Sequence, residues 1–212
     1  MKNALSIRPK AIGGVVPVST LEASNDVSCQ LNSFLRIVYC NPAWDRFALA
    51  NNGELARSDR VLGSMIMDFV PPKLIDFYAA AFALACDNVV EFDYECSSSD
   101  LYRSFRMQIV PIDRHRGYTV IHALKHEEAM EGKRPALALH PKYLSDAGII
   151  TVCSHCRRTR RVDVSAQWDW VPASLRPAQR NVSHGLCPAC HAYFYGHILS
   201  RALQKHHIQP AA

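Results

Sequence analysis

The sequence lacks any run of about 20 apolar residues, the length a membrane-spanning helix needs. Its start carries Lys2, Arg8 and Lys10 but no apolar stretch ahead of a cleavage site, so no secretory signal is expected and a cytoplasmic location is. It has no glycine-rich phosphate loop and no Ser-His-Asp arrangement, which weighs against an enzyme. Acidic residues are scarce in one region. Residues 132–212 hold three Asp+Glu against 11 Lys+Arg, a net of +8, whereas residues 1–131 hold 16 against 13, a net of −3. A basic C-terminal third suits an acidic partner, nucleic acid or a solvated surface.

What is present suits a folded protein of one medium and one small domain. The chain has 212 residues, 49% hydrophobic and 20% charged, enough for a core of normal size. Residues 1–24, with Pro9, Gly13, Gly14 and Pro17, show no periodicity and read as a flexible lead-in. A short strand is expected near Val27–Leu31. Leu35, Ile37 and Tyr39 then alternate with Arg36, Val38 and Cys40 as in a half-buried strand. Asn41-Pro42 stops it, and Trp44, Phe47 and Ala48 fall at helical spacing before Asn51-Asn52-Gly53. A helical turn is expected within Gly63–Val70. Pro71-Pro72 opens the longest helix, about Lys73–Cys86, with Leu74, Tyr78, Ala81 and Ala85 in one stripe. Three hairpin-linked strands follow: Val90–Cys96, one through Phe105, Met107 and Ile109, and Tyr118–Leu124. This makes an α+β fold with an antiparallel or mixed sheet. Residues 127–148 read as a linker.

Four of the eight cysteines form two CxxC pairs, Cys153-Ser154-His155-Cys156 and Cys187-Pro188-Ala189-Cys190, with 30 residues between them. A CxxC turn lets two sulfurs converge on one ion, and two such turns complete a tetrahedron. Zn²⁺ is the metal that all-sulfur tetrahedral ligation suits best, with iron the runner-up. Cys29, Cys40, Cys86 and Cys96 are scattered and read as buried small apolar residues. Strand character over Arg161–Val171, including Trp168 and Trp170, lies between the knuckles. Pro188 opens a helix over about His191–Leu203. Knuckle, hairpin, then knuckle into helix is a treble-clef-like layout for a module over residues 149–205. Of the histidines beside the cysteines, His184 reads either as a hydrogen-bond partner of a sulfur or as a residue serving only the loop's geometry, whereas His155 is expected to point away. Arg157, Arg158, Arg160 and Arg161 are candidate partner or phosphate contacts, or a solvated edge balancing the thiolates. Asp163 and Asp169 would serve as acid or base only beside a cleft.

The order of strands and helices over about residues 24–126 resembles the PAS fold. Arg36-Ile37-Val38-Tyr39-Cys40-Asn41-Pro42-Ala43-Trp44 is similar to the second PAS strand and the turn after it. Val61-Leu62-Gly63 with Asp68-Phe69-Val70-Pro71 is similar to the stretch ahead of that family's long helix. The resemblance implies a PAS-like antiparallel sheet flanked by short helices, at 25–126, that senses a ligand of unknown identity or forms a homodimer. The Asn-Cys-Arg-Phe run of flavin photoreceptors is missing, and the long helix has no His for haem. Of His115, His122 and His126, only His122 has a credible inward position. Residues 149–195 resemble a CxxC…Ser-His-Gly…Cys-Pro-x-Cys element attached to bacterial PAS and response-regulator proteins; the basic stretch Arg176–Asn181 departs from it. Together these imply a bacterial signal-transduction regulator whose partner is another signalling protein. A nucleic-acid-binding regulator is the alternative, and an enzyme is disfavoured because four cysteine ligands leave a metal no open position.

Overall fold

The computed structural model describes residues 5–9, 16–98, 101–113, 116–129, 140–171 and 181–196. The chain divides into two compact units. One comprises the residues up to Asp93 together with Arg106–Leu124, the other Tyr94–Phe105 together with Lys125–His197.

The first unit holds strands β1 (Leu5–Pro9), β2 (Val27–Asn32) and β3 (Ile37–Cys40), with β4 (Asn88–Glu95) as far as Asp93, β5 (Leu101–Asp113) from Arg106 on and β6 (Gly117–Ala129) as far as Leu124; the strand order is β1-β4-β5-β6-β2-β3. β2 lies antiparallel between β3 and β6. Helices α1 (Val18–Ala23), α2 (Pro42–Ala50), α3 (Ser58–Val61) and α4 (Ile75–Leu84) complete an α+β unit. The alternation expected in β5 is present: Phe105, Met107 and Ile109 are buried while Arg106 and Gln108 are half-buried. The core gathers Leu31, Ile37, Val61, Phe77, Val90 and Phe92, with the Phe77 and Phe92 rings edge-to-face at 4.9 Å. The long helix is shorter than expected, because Pro72–Leu74 forms a 3₁₀ turn ahead of it.

Asn41 organises the entry to α2. Its buried side chain accepts from the Ser28 N–H at 3.0 Å and the Trp44 N–H at 3.1 Å. It donates to the Leu21 and Asp26 carbonyls, both at 2.9 Å. One amide therefore caps α2, bonds to β2 and anchors the end of α1. Asp45, in the first turn of α2, accepts from the Ser58 N–H at 2.7 Å and the Ser58 hydroxyl at 2.6 Å. The Ser58 hydrogen bonds hold its carboxyl below the usual carboxylate range.

Several expectations are corrected. The lead-in is not structureless, since β1 pairs antiparallel with β4 (Leu5↔Phe92 to Pro9↔Asn88) and α1 buries Leu21. Leu35 is not in a strand: its φ is 58°, in a turn where the Asn32 carboxamide oxygen accepts from the N–H groups of Phe34 and Arg36. Glu91, which strict alternation assigns to solvent, is 6% exposed and bonded by Arg8 and Gln108. β6 continues to Ala129, into the segment read as a linker, and Pro141–Tyr143 forms a 3₁₀ turn within it. Among the described residues no helix is long and apolar enough to cross a membrane.

In the second unit a four-stranded sheet is ordered β10-β7-β8-β9: β7 (Ile150–Cys153), β8 (Thr159–Arg160), β9 (Trp168–Asp169) and β10 (Val182–Gly185). Helix α5 (Pro188–Phe194) follows. Buried Tyr143 donates from its hydroxyl to Asp169 at 2.8 Å. The strand character expected across Arg161–Val171 is confined to β9, with β8 ending just ahead of that span. The helix expected through Leu203 is described only to its start, because residues 197–212 lie outside the described set.

Candidate metal centre

The two knuckles are brought together by the parallel pairing of β10 with β7, in the register Val182↔Ile150 to Gly185↔Cys153. That register sets Gly185 beside Cys153, and the Gly185 carbonyl accepts from the Ser154 N–H at 2.8 Å. Two residues beyond, Cys187 is the N-cap of α5, with Pro188 at the first helical position. Cys190 then lies one turn into the helix, so both CxxC turns face one point. The first turn is closed by hydrogen bonds from the Arg157 N–H to the Cys153 carbonyl at 3.1 Å and from the Cys153 N–H to the Arg158 carbonyl at 2.7 Å. Arg157 adopts a φ of 60° to make that reversal.

Cys153, Cys156, Cys187 and Cys190 are all buried, and their four sulfurs lie within 4.8 Å of one another. This is the set the CxxC spacing singled out. The donor set fits a tetrahedral ion on its own dimensions: an M–S bond of ~2.3 Å gives S···S edges of ~3.8 Å, and the Cys156 and Cys187 sulfurs are 3.7 Å apart. Backbone N–H groups aim at the sulfurs, from Cys187 to Cys153 Sγ and from Cys190 to Cys187 Sγ, each at 3.4 Å. Hydrogen bonds from Cys156, Cys187 and Cys190 push the Cys153 thiol far below the ordinary thiol range. The bond to Cys153 holds Cys156 and Cys190 above it. Such a cluster is compatible with a metal site such as zinc.

The histidine against sulfur is His155, not His184. His184 is exposed on β10. His155 is 8% exposed, with Nδ1 3.6 Å from Cys190 Sγ and its ring 3.9 Å from the Phe194 centroid. Burial lowers its pKa to about 3, so the ring is neutral. The signal that could have found it is local: it sits inside the first CxxC turn, facing a helix with aromatic residues. His191 instead stacks on Tyr195 at 5.3 Å.

Arg157, Arg158, Arg160 and Arg161 are each half-buried. Arg158 loses hydration, yet Cys156 and Glu95 outweigh that loss and strengthen its charge. Arg161 holds Asp163 through Nε at 2.8 Å and Nη2 at 2.5 Å. Asp163 and Asp169 are thus engaged in structural bonds, to Arg161 and to Tyr143. Glu95 is half-buried, and desolvation raises its pKa despite Arg158. His122, on β6, loses hydration and is pushed down to about 4. His126 is exposed, and His115 lies outside the described residues, as does most of Arg176–Asn181.

No protein-family model matches the chain, and no curated protein does. Solved structures are similar over about half of it. A domain of an HTR-like protein from Haloarcula marismortui is 18% identical, with 49% of this chain and all of that one covered and a TM-score of 0.32. The PAS domain of nitrogen regulation protein NR(II) from Vibrio parahaemolyticus is 14% identical, with 53% of this chain and all of that one covered and a TM-score of 0.31. A sensory box sensor histidine kinase from Vibrio cholerae is 10% identical, with 52% of this chain and 86% of that one covered and a TM-score of 0.33.

Proposed function

We propose that this is a bacterial signal-transduction regulator with two parts. The PAS-like unit senses a ligand or mediates homodimerisation. The second unit is a treble-clef-like module that holds one structural Zn²⁺ through Cys153, Cys156, Cys187 and Cys190 and contacts a signalling partner protein. The observation that carries the reading is the buried sulfur cluster, with N–H donors aimed at its sulfurs. Four thiolates fill the coordination of a zinc ion and leave no position for substrate, so the site is structural rather than catalytic. When bound, the ion supplies folding energy to a four-stranded sheet whose strands are only two to four residues long.

The net charge of +8 over residues 132–212 favours the alternative, a nucleic-acid-binding regulator. The half-buried, partnered state of Arg158 and Arg161 favours the protein partner. Elemental analysis with an absorption spectrum tests the metal: one zinc per chain without visible colour supports the reading, and iron absorption contradicts it. Binding to DNA or RNA that weakens steeply with salt would move the output to nucleic acid.

A further inference from the structure

We infer that His155 is a positioning residue of the four-cysteine centre, its Nδ1–H capping the Cys190 sulfur. The inference rests on the zinc reading above and concerns how the chain retains the ion.

The donors are distributed one sulfur at a time. Cys153 Sγ takes the Cys187 N–H and Cys187 Sγ takes the Cys190 N–H, both at 3.4 Å. At Cys190 the donor is an imidazole, with Nδ1 at 3.6 Å, within reach of a large sulfur acceptor.

The ring is fixed in that pose. Cys190 and Phe194 are four residues apart on α5 and share one helix face. The His155 ring lies against the Phe194 ring at 60° and within 6.3 Å of Tyr94. Its Nε2 is buried without a hydrogen-bond partner, so sulfur is where the ring's polarity is used. Placing the proton on Nδ1 turns the imidazole into a donor to sulfur and leaves Nε2 as a bare acceptor.

The chemistry follows from charge. Four thiolates around a divalent ion carry a net charge of about −2 in a desolvated site, and each N–H donor withdraws part of it. Without the donor, the Cys190 sulfur becomes the most electron-rich of the four, the first to leave the metal and the first to meet an electrophile. Groups that hydrogen-bond to the metal's ligands in this way govern metal retention.

The test uses the full chain purified with zinc, as wild type, His155→Asn and His155→Phe. Asparagine places its Nδ2 donor where the imidazole carries Nδ1, and phenylalanine keeps the ring without a donor. Zinc transfer to a chromogenic chelator and the order of cysteine alkylation by iodoacetamide, read by mass spectrometry, are measured together. His155→Phe is expected to release zinc ~10–100-fold more readily, with Cys190 alkylated first, and His155→Asn to stay close to wild type. Release from His155→Phe at the wild-type rate, equal weakening in both variants, or first alkylation at another cysteine overturns the inference. Should His155→Phe not fold, ¹⁵N NMR of the zinc-loaded wild type decides: a proton on Nδ1 supports the inference, and a proton on Nε2 overturns it. A wild-type protein without zinc overturns the zinc reading and this inference together, whereas a zinc-loaded wild type with indifferent variants overturns this inference alone.

Discussion

Replacing Asn41 by alanine removes four hydrogen bonds from one buried side chain and should be among the most damaging substitutions in the first unit. The amide is 1% exposed and bonds to Ser28, Trp44, Leu21 and Asp26. Loss of a helix N-cap costs about 1 kcal/mol. Each buried backbone group left without a partner costs roughly 1–3 kcal/mol. The Trp44 N–H at the start of α2 is only part-buried and regains water, whereas the Ser28 N–H and the Leu21 carbonyl lie deeper. A total of ~3–5 kcal/mol is expected, a large share of the roughly 5–15 kcal/mol that holds a domain. Asn41→Asp keeps the two accepted bonds but sets a carboxylate against the Leu21 and Asp26 carbonyls, and should be as harmful as alanine. Asn41→Ser keeps the cap and should recover about 1 kcal/mol. Urea unfolding followed by far-UV circular dichroism measures all three. A loss under about 1 kcal/mol for Asn41→Ala would show that water replaces the amide and that the α1–β2–α2 junction is not closed as described.

Gly117→Ala should destabilise the sheet by at least ~2 kcal/mol, read as a fall in the urea midpoint, because φ is +139° and a Cβ would stand 1.9 Å from the Leu31 carbonyl oxygen. Tyr143→Phe should cost about 1.5–3 kcal/mol in the second unit by removing the bond to Asp169; amide exchange in β7–β9 tests it. His122 has a pKa lowered from its ordinary value to about 4, so the unfolded chain takes up the proton first. Its contribution is full above pH ~6.5 and declines as pH falls towards 4, on the order of 3 kcal/mol in all. His122→Gln should flatten that part of the pH–stability curve. Cys187→Ser should abolish exchange protection in β7, β10 and α5 while β2, α2 and α4 keep theirs; collapse of both units in that variant would contradict their independence.

The parts of this fold that were legible in the sequence are those with local causes. Phe105, Met107 and Ile109 declare β5 by alternation, Asn41-Pro42 declares a strand end and a helix start, and CxxC turns declare their own ligands. The missed parts depend on distant residues. β1 is a strand because it pairs with β4 more than 80 residues away (Leu5↔Phe92), and nothing in its own composition says so. The last residues of β6, Lys125–Ala129, are exposed and charged, so their pairing leaves no hydrophobic pattern to read. Leu35 fits an alternating strand by composition, but the Asn32 side chain turns the chain there instead. His184 and His155 are equally close to cysteines in sequence. Only the parallel β7–β10 register and the packing on Phe194 decide that one faces solvent and the other sulfur.

The most direct test of the account is the metal content of the purified full-length chain, with the same measurement on a protein carrying Cys153→Ser and Cys187→Ser together. One zinc per wild-type chain, none in the double variant and no absorption above the protein band is the predicted result. A wild-type chain that folds its second unit without metal, or that carries iron, would contradict it.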